Sequence, residues 1–132
     1  MKKSMLIFAL LLSFVGFSQK ECKVTITYVY TNIEEGYDHL NKCQVYIDGT
    51  MVKESPEHNE SEKTTMVFNV PAGSHEISIV NLAYYEGTWE EHTVENEYSI
   101  DAIFKKSMTF KKKRKINLIF DIDQSEPIVK IK

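Results

Sequence analysis

The sequence predicts an all-β protein, an antiparallel β-sandwich of about seven to eight strands, and three observations support it. From Lys23 onward apolar residues recur at every second position, the period of half-buried strands, and not every 3.6. Turn residues, among them Asp48-Gly49 and Pro71-Ala72-Gly73-Ser74, separate the runs. No window holds a convincing amphipathic helix, and short strands with turns between them indicate two packed sheets.

The strands follow in order. Val24, Ile26, Tyr28 and Tyr30 alternate with Lys23, Thr25, Thr27 and Thr31, giving a strand over 23–31 whose polarity only Val29 breaks. Residues 44–47 and 50–53 form two more, joined by Asp48-Gly49, a strong hairpin signal because both residues tolerate positive φ. The polar stretch 54–63, with Pro56, reads as a loop. Met66, Phe68 and Val70 share a face of a strand over 65–70, and the turn at 71–74 leads into another over 76–82. A further strand is expected over 98–104. Ile116, Leu118, Phe120 and Ile122 give the cleanest alternation in the chain, and Ile128, Val129 and Ile131 a short last strand.

The 132 residues fit one domain. Residues 1–18 read as a secretory signal peptide: Met1-Lys2-Lys3, an apolar run from Met5 to Phe17, and small residues Gly16 and Ser18 before Gln19. The apolar run is shorter than the roughly 20 residues a spanning helix needs. Gln19, Lys20 and Glu21 before Cys22 argue against a lipidation site. The expectation is an exported protein, periplasmic or extracellular, with a single β-sandwich domain over 19–132 and no transmembrane segment. Without Lys2 and Lys3 the chain keeps 14 basic against 19 acidic residues, net −5. That balance argues against nucleic acid as a partner.

Export permits a disulfide between Cys22 and Cys43. In a simple hairpin of 23–31 with 44–48 the two lie some 30 Å apart at about 3.3 Å per residue. The bond requires strands that run side by side in parallel, or that sit in different sheets.

Val45-Tyr46-Ile47-Asp48-Gly49-Thr50-Met51-Val52, then Ser55-Pro56, then Phe68-Asn69-Val70-Pro71-Ala72-Gly73-Ser74-His75-Glu76-Ile77 resembles a PEGA-type or carboxypeptidase-regulatory-like module. The resemblance covers residues 45–77. It implies an immunoglobulin-like or transthyretin-like sandwich, typically a non-catalytic accessory or adhesion module of envelope proteins. Some 50 residues follow Leu82, where such modules usually end soon.

His39, His58, His75 and His92 include no local pair at ligand spacing, so no metal site and no cofactor is expected. His75 belongs to the turn-and-strand corner and reads as a hydrogen-bonding residue there. No nucleophile elbow, phosphate loop or His-Glu-x-x-His motif occurs.

The segment 84–101 holds six acids, no Lys or Arg, and the only Trp. Tyr84, Tyr85 and Trp89 offer faces for sugar C–H groups, and Glu90 and Glu91 accept hydroxyl hydrogen bonds. The same acids suit Ca²⁺ in chemistry, without EF-hand spacing. Alternatively the aromatics plug the end of the core while the acids solvate a long loop. Residues 105–115 are the opposite: Lys105, Lys106, Lys111, Lys112, Lys113, Arg114 and Lys115, with no acid. This run, expected on an exposed hairpin, either contacts an anionic surface or protects an edge strand. Pairing with the acidic segment, within one molecule or by weak self-association, is a further expectation.

The sequence thus points to an exported, non-catalytic interaction module that binds a protein partner in the envelope or outside the cell. The alternative is a carbohydrate- or Ca-binding module built on 84–101. A small hydrolase using Glu90, Glu91 or Asp101 ranks third.

Overall fold

A computed structural model describes residues 20–132; the expected signal peptide lies outside the described residues. Among the described residues there are ten strands and no helix: β1 (Glu21–Thr31), β2 (Leu40–Ile47), β3 (Thr50–Glu54), β4 (His58–Asn59), β5 (Thr64–Pro71), β6 (Gly73–Tyr85), β7 (Thr88–Glu91), β8 (Ile103–Phe110), β9 (Lys113–Asp121) and β10 (Ile128–Ile131). One sheet runs β10-β9-β1-β5. The other runs β3-β2-β6-β7, with β4 also on β2 and β8 also on β6. No helix among the described residues is long and apolar enough to cross a membrane.

The two-residue alternation does what it predicts. Cys22, Val24, Ile26, Tyr28 and Tyr30 point inward from β1, and Ile116, Leu118 and Phe120 from β9. They meet Cys43, Val45 and Ile47 of β2 and Ile77 and Ile79 of β6 in one core between the sheets. Burial at this density supplies the main folding free energy, at about 25 cal/mol per Å² of apolar surface. Asp48 and Gly49 take φ of 50° and 84°, and close the β2–β3 hairpin as expected.

Several expectations are corrected. The sandwich is antiparallel except for one pair: β1 lies parallel to β9, with Val24 opposite Arg114 and Phe120 opposite Tyr30. The strand expected over 98–104 begins only at Ile103, and the polar stretch 54–63 contains β4. The lysine-rich run is not a hairpin: β8 pairs with β6 and β9 with β1, so residues 111–112 form an arch between the sheets. Arg114 Nε braces it by donating to the Thr109 carbonyl at 2.9 Å.

The Cys22–Cys43 disulfide is absent; both are buried free thiols. The strands do lie in different sheets, but the residues are displaced along them. Tyr28, six positions beyond Cys22, reaches Ser55, whose Oγ accepts from the Cys43 N–H. Six residues of strand are about 20 Å, far beyond the roughly 7 Å a disulfide allows. Burial pushes both thiols above the usual cysteine range, so they stay protonated.

At the corner from β5 to β6, His75 Nδ1 donates to Asp48 Oδ2 at 2.6 Å and Nε2 to the Pro71 carbonyl at 2.8 Å. Both partners are acceptors, so the ring carries both protons. The Asp48 hydrogen bond raises the His75 pKa, opposed by partial desolvation. The Glu76 N–H, and then His75, lower that of Asp48. A raised His contributes stability that is full below the unfolded value of about 6.5 and lost as pH rises through the folded one. A lowered Asp contributes above about 3.9, lost as pH falls through its folded value. The pair therefore stabilises most between roughly pH 4 and 6.5. His75→Gln is expected to reduce Tm at pH 5.5 by more than at pH 8.5. Thermal melts of both proteins at the two pH values check this, and an equal loss at both would refute it.

Candidate functional site

At the end of the sandwich where β1, β6 and β9 finish, an open cavity of about 380 Å³ lies between the loops. Its construction starts with β6. Along one edge of β6 run first β8, on residues 73–80, and then β7, on 82–85. Between them Asn81 is bracketed: the His92 N–H donates to the Asn81 carbonyl, and the Asn81 N–H to the Ala102 carbonyl. β7 and β8 therefore act as one interrupted strand from which residues 93–101 loop out. Asp101 Oδ1 accepts from the Val94 N–H at 2.8 Å and holds the base of that loop closed.

The looped-out segment supplies one wall. Tyr98 stacks on His92 with centroids 4.3 Å apart, meets the edge of His39 at 5.4 Å, and donates its hydroxyl to Glu90 Oε1 at 2.7 Å. Tyr85 and Tyr37, both exposed, stand at the mouth. Glu60 lies at the floor, 1% exposed. Its N–H donates to the His39 carbonyl and its carbonyl accepts from the Tyr30 N–H, so its backbone stitches the two sheets together. Glu60 Oε1 accepts from the His39 backbone N–H and faces His39 Nδ1, each at 3.3 Å.

Glu60 Oε2 has no hydrogen-bond partner. His92 Nε2 is 3.2 Å away, within ion-pair distance. His92 Nδ1 faces the Ile100 carbonyl at 3.1 Å, so both ring nitrogens face acceptors. Glu34, Glu60, Glu90 and Glu97 line the cavity, with His39 and His92 and no Lys or Arg. The Glu86 charge raises the pKa of Tyr85, burial and then the Glu90 hydrogen bond raise that of Tyr98, and burial and then the Glu60 charge raise that of Tyr30.

Behind the cavity a polar network crosses the core. Asn41 Nδ2 donates towards Tyr30 Oη, Asn81 Oδ1 and the Leu82 carbonyl at 3.2–3.3 Å, and Tyr28 Oη approaches Asn41 Oδ1 at 3.1 Å and His58 Nε2 at 2.6 Å.

The residues singled out from the sequence separate. β6 and β7 form a hairpin through Glu86-Gly87, not a loop, and strand alternation sends their side chains to two faces. Tyr85 and Glu90 reach the cavity. Tyr84, Trp89 and Glu91 lie on the outer face, where Trp89 meets the Tyr84 ring at 5.2 Å and carries Lys42 Nζ 4.5 Å above it. His39, Glu60 and His92, which build the floor, were not singled out.

Lys111, Lys112, Lys113, Arg114 and Lys115 lie at the other end of the molecule, since β8 runs its eight residues from the acidic loop to the arch, about 26 Å. The two therefore do not pair within one molecule. Of the described Lys and Arg side chains, only Lys105 forms an ion pair, with Glu76 at 3.6 Å. No group of three or more His, Cys, Asp or Glu side chains among the described residues is placed to hold a metal ion.

No family model matches the chain, and no curated protein matches it. Similar solved structures include a disulfide-locked mutant of intermedilysin with human CD59, at 13% identity and a TM-score of 0.39, covering 86% of this chain and 24% of that one. Pneumolysin, at 10% identity and a TM-score of 0.41, has the same coverage. The human-specific toxin intermedilysin, at 11% and 0.41, is covered over 23% of its length. The chain thus spans about a quarter of these toxins, and likeness this distant says nothing of what it does.

Proposed function

We propose that this chain is an exported, non-catalytic binding module whose cavity takes a carbohydrate. The observation that carries the reading is the cavity itself. Tyr85, Tyr37 and Tyr98 line its mouth and wall together with carboxylates, which can accept hydroxyl hydrogen bonds. Apolar walls with a few convergent polar groups are the usual make-up of a small-molecule site. The resemblance of residues 45–77 to accessory modules supports a role without catalysis, and the sequence of residues 1–18 supports export.

The test is calorimetric titration of the full chain with a panel of disaccharides, comparing Tyr85→Ala and Trp89→Ala. Tyr85→Ala is expected to weaken binding about tenfold, or roughly 1.4 kcal/mol. Trp89→Ala, on the outer face, is expected to leave affinity within about twofold, or roughly 0.4 kcal/mol. The reverse pattern moves the site to the Tyr84–Trp89 face, and no binding at all ends the carbohydrate reading.

A second reading, contact with a protein partner, has its own support in β3. This edge strand is exposed at all five residues, including Met51 and Val52. An open edge of this kind is a template for strand addition.

A further inference from the structure

Away from the cavity, strand register gathers lysines on the outer face of the sheet β10-β9-β1-β5. The outward positions of β1 from Lys23 to Val29, and those beside them on β5, β9 and β10, carry Lys23, Lys113, Lys115 and Lys130 and no Asp or Glu. The outward acids of β1 and β9 stand only at the two ends, at Glu21 and at Asp121, which accepts from Asn32 Nδ2 at 2.8 Å. None of the four lysines forms an ion pair with a described residue.

The usual roles of surface lysine do not account for this face. Lysines that guard a sheet against pairing belong on its edge strands, whereas β1 and β9 are the two inner strands. Like charges directly opposite on neighbouring strands are destabilising. Yet Lys23 lies directly opposite Lys113, at a strand spacing of about 4.8 Å. This happens in a chain that carries 14 basic against 19 acidic residues once Lys2 and Lys3 are set aside. The result is a concentrated positive field that an anionic partner would relieve.

We infer that this face binds a linear acidic polysaccharide, at a site separate from the cavity and independent of its reading. A groove of about 420 Å³ crosses the face between Lys63 and Lys130. Along it, one residue from each strand, run Lys130, Asn117, Thr27 and Thr65 in register. The Thr27 and Thr65 hydroxyls lie 3.1 Å apart, and Val29 and Ile119 line the groove beside them. Cations thus flank neutral donors and an apolar strip, the complement of a chain that repeats acid groups, hydroxyls and C–H faces. A lipid surface would use the charges but neither the groove nor the neutral donors.

Polygalacturonate and dextran sulfate, each paired with its uncharged counterpart (the methyl ester and plain dextran), test this by titration into the full chain. At least one acidic polymer is expected to bind about tenfold or more tightly than its counterpart, and the difference to shrink as NaCl screens it. Lys23→Gln/Lys113→Gln should weaken that binding severalfold, and Lys130→Gln added to it should weaken it further. Lys53→Gln/Lys106→Gln removes equal charge from β3 and β8 of the other sheet and should leave affinity nearly unchanged. All five lysines are exposed, so the variants keep the core intact. Equal losses in the two double variants would overturn the site, since net charge alone would then be acting. Acidic polymers bound no better than their neutral counterparts would overturn it too. Tighter binding to vesicles of phosphatidylglycerol and phosphatidylcholine in equal parts than to either polymer would replace the polysaccharide with a lipid surface.

Discussion

Phe120→Ala is expected to lower the stability of the domain by about 3–5 kcal/mol, the range for removing a buried aromatic ring. Phe120 is fully buried on β9, its ring 5.1 Å from that of Tyr30 on the neighbouring strand. Tyr30 in turn packs 5.0 Å from His92, so the vacancy opens directly behind the cavity floor. Neither sheet can collapse into it, because β1 is held on both sides, by β5 and by β9. Domains of this size are stable by only about 5–15 kcal/mol. At about 4–8 °C per kcal/mol, Tm should fall by roughly 12–40 °C. Val67→Ala, at an exposed position of β5, serves as the control and should cost no more than about 0.5 kcal/mol. A Phe120→Ala protein melting within a few degrees of the parent would show that this ring is not part of a close-packed core.

Asn41→Leu should be nearly as damaging, by about 3 kcal/mol, although it makes the core more apolar. Asn41 is fully buried on β2, and its amide is the hub joining Tyr28 and Tyr30 of one sheet to Asn81 of the other. Leucine leaves Asn81 Oδ1 and the Tyr30 hydroxyl without their donor, at about 1–3 kcal/mol for each buried polar group stranded. Tyr28 suffers less, because its hydroxyl keeps His58 Nε2. Urea unfolding of Asn41→Leu, Asn81→Leu and the double variant isolates the cause. Removing both partners strands fewer groups than the two single changes add up to, so the double variant should lose clearly less than the sum. Strict additivity would mean that the two amides do not interact.

Much of the sandwich was legible because one property, which face a side chain occupies, is written locally as alternation. Val24 to Tyr30 and Ile116 to Phe120 show it without ambiguity. Which strand lies beside which is not written that way, and the parallel β1–β9 pairing has no local mark. The cavity was half legible. Tyr85 and Glu90 were found for their chemistry, but they were grouped with Tyr84 and Trp89 because 84–101 was taken as one loop. The signal that separates them is Glu86-Gly87, with φ of 49° and 86°, the same hairpin chemistry as Asp48-Gly49. Glu60 had no such signal. It stands in a polar stretch between Glu57 and Glu62, and only the pairing of β4 with β2 carries it inside.

The parallel pair also sets an order of events. In the second sheet β2 and β3 join through a two-residue turn, as do β6 and β7, so half of the molecule assembles from neighbours in sequence. β1 has no neighbour of that kind. It pairs with β5 36 to 50 positions downstream and with β9 90 positions downstream. Entropy opposes closing so long a loop before any contact rewards it, and chains dominated by such pairings fold over milliseconds to seconds. The first strand of the domain is therefore among the last to be fully paired. Until then its inward row of Val24, Ile26, Tyr28 and Tyr30 is unsheltered apolar surface, open to a chaperone or to an aggregate.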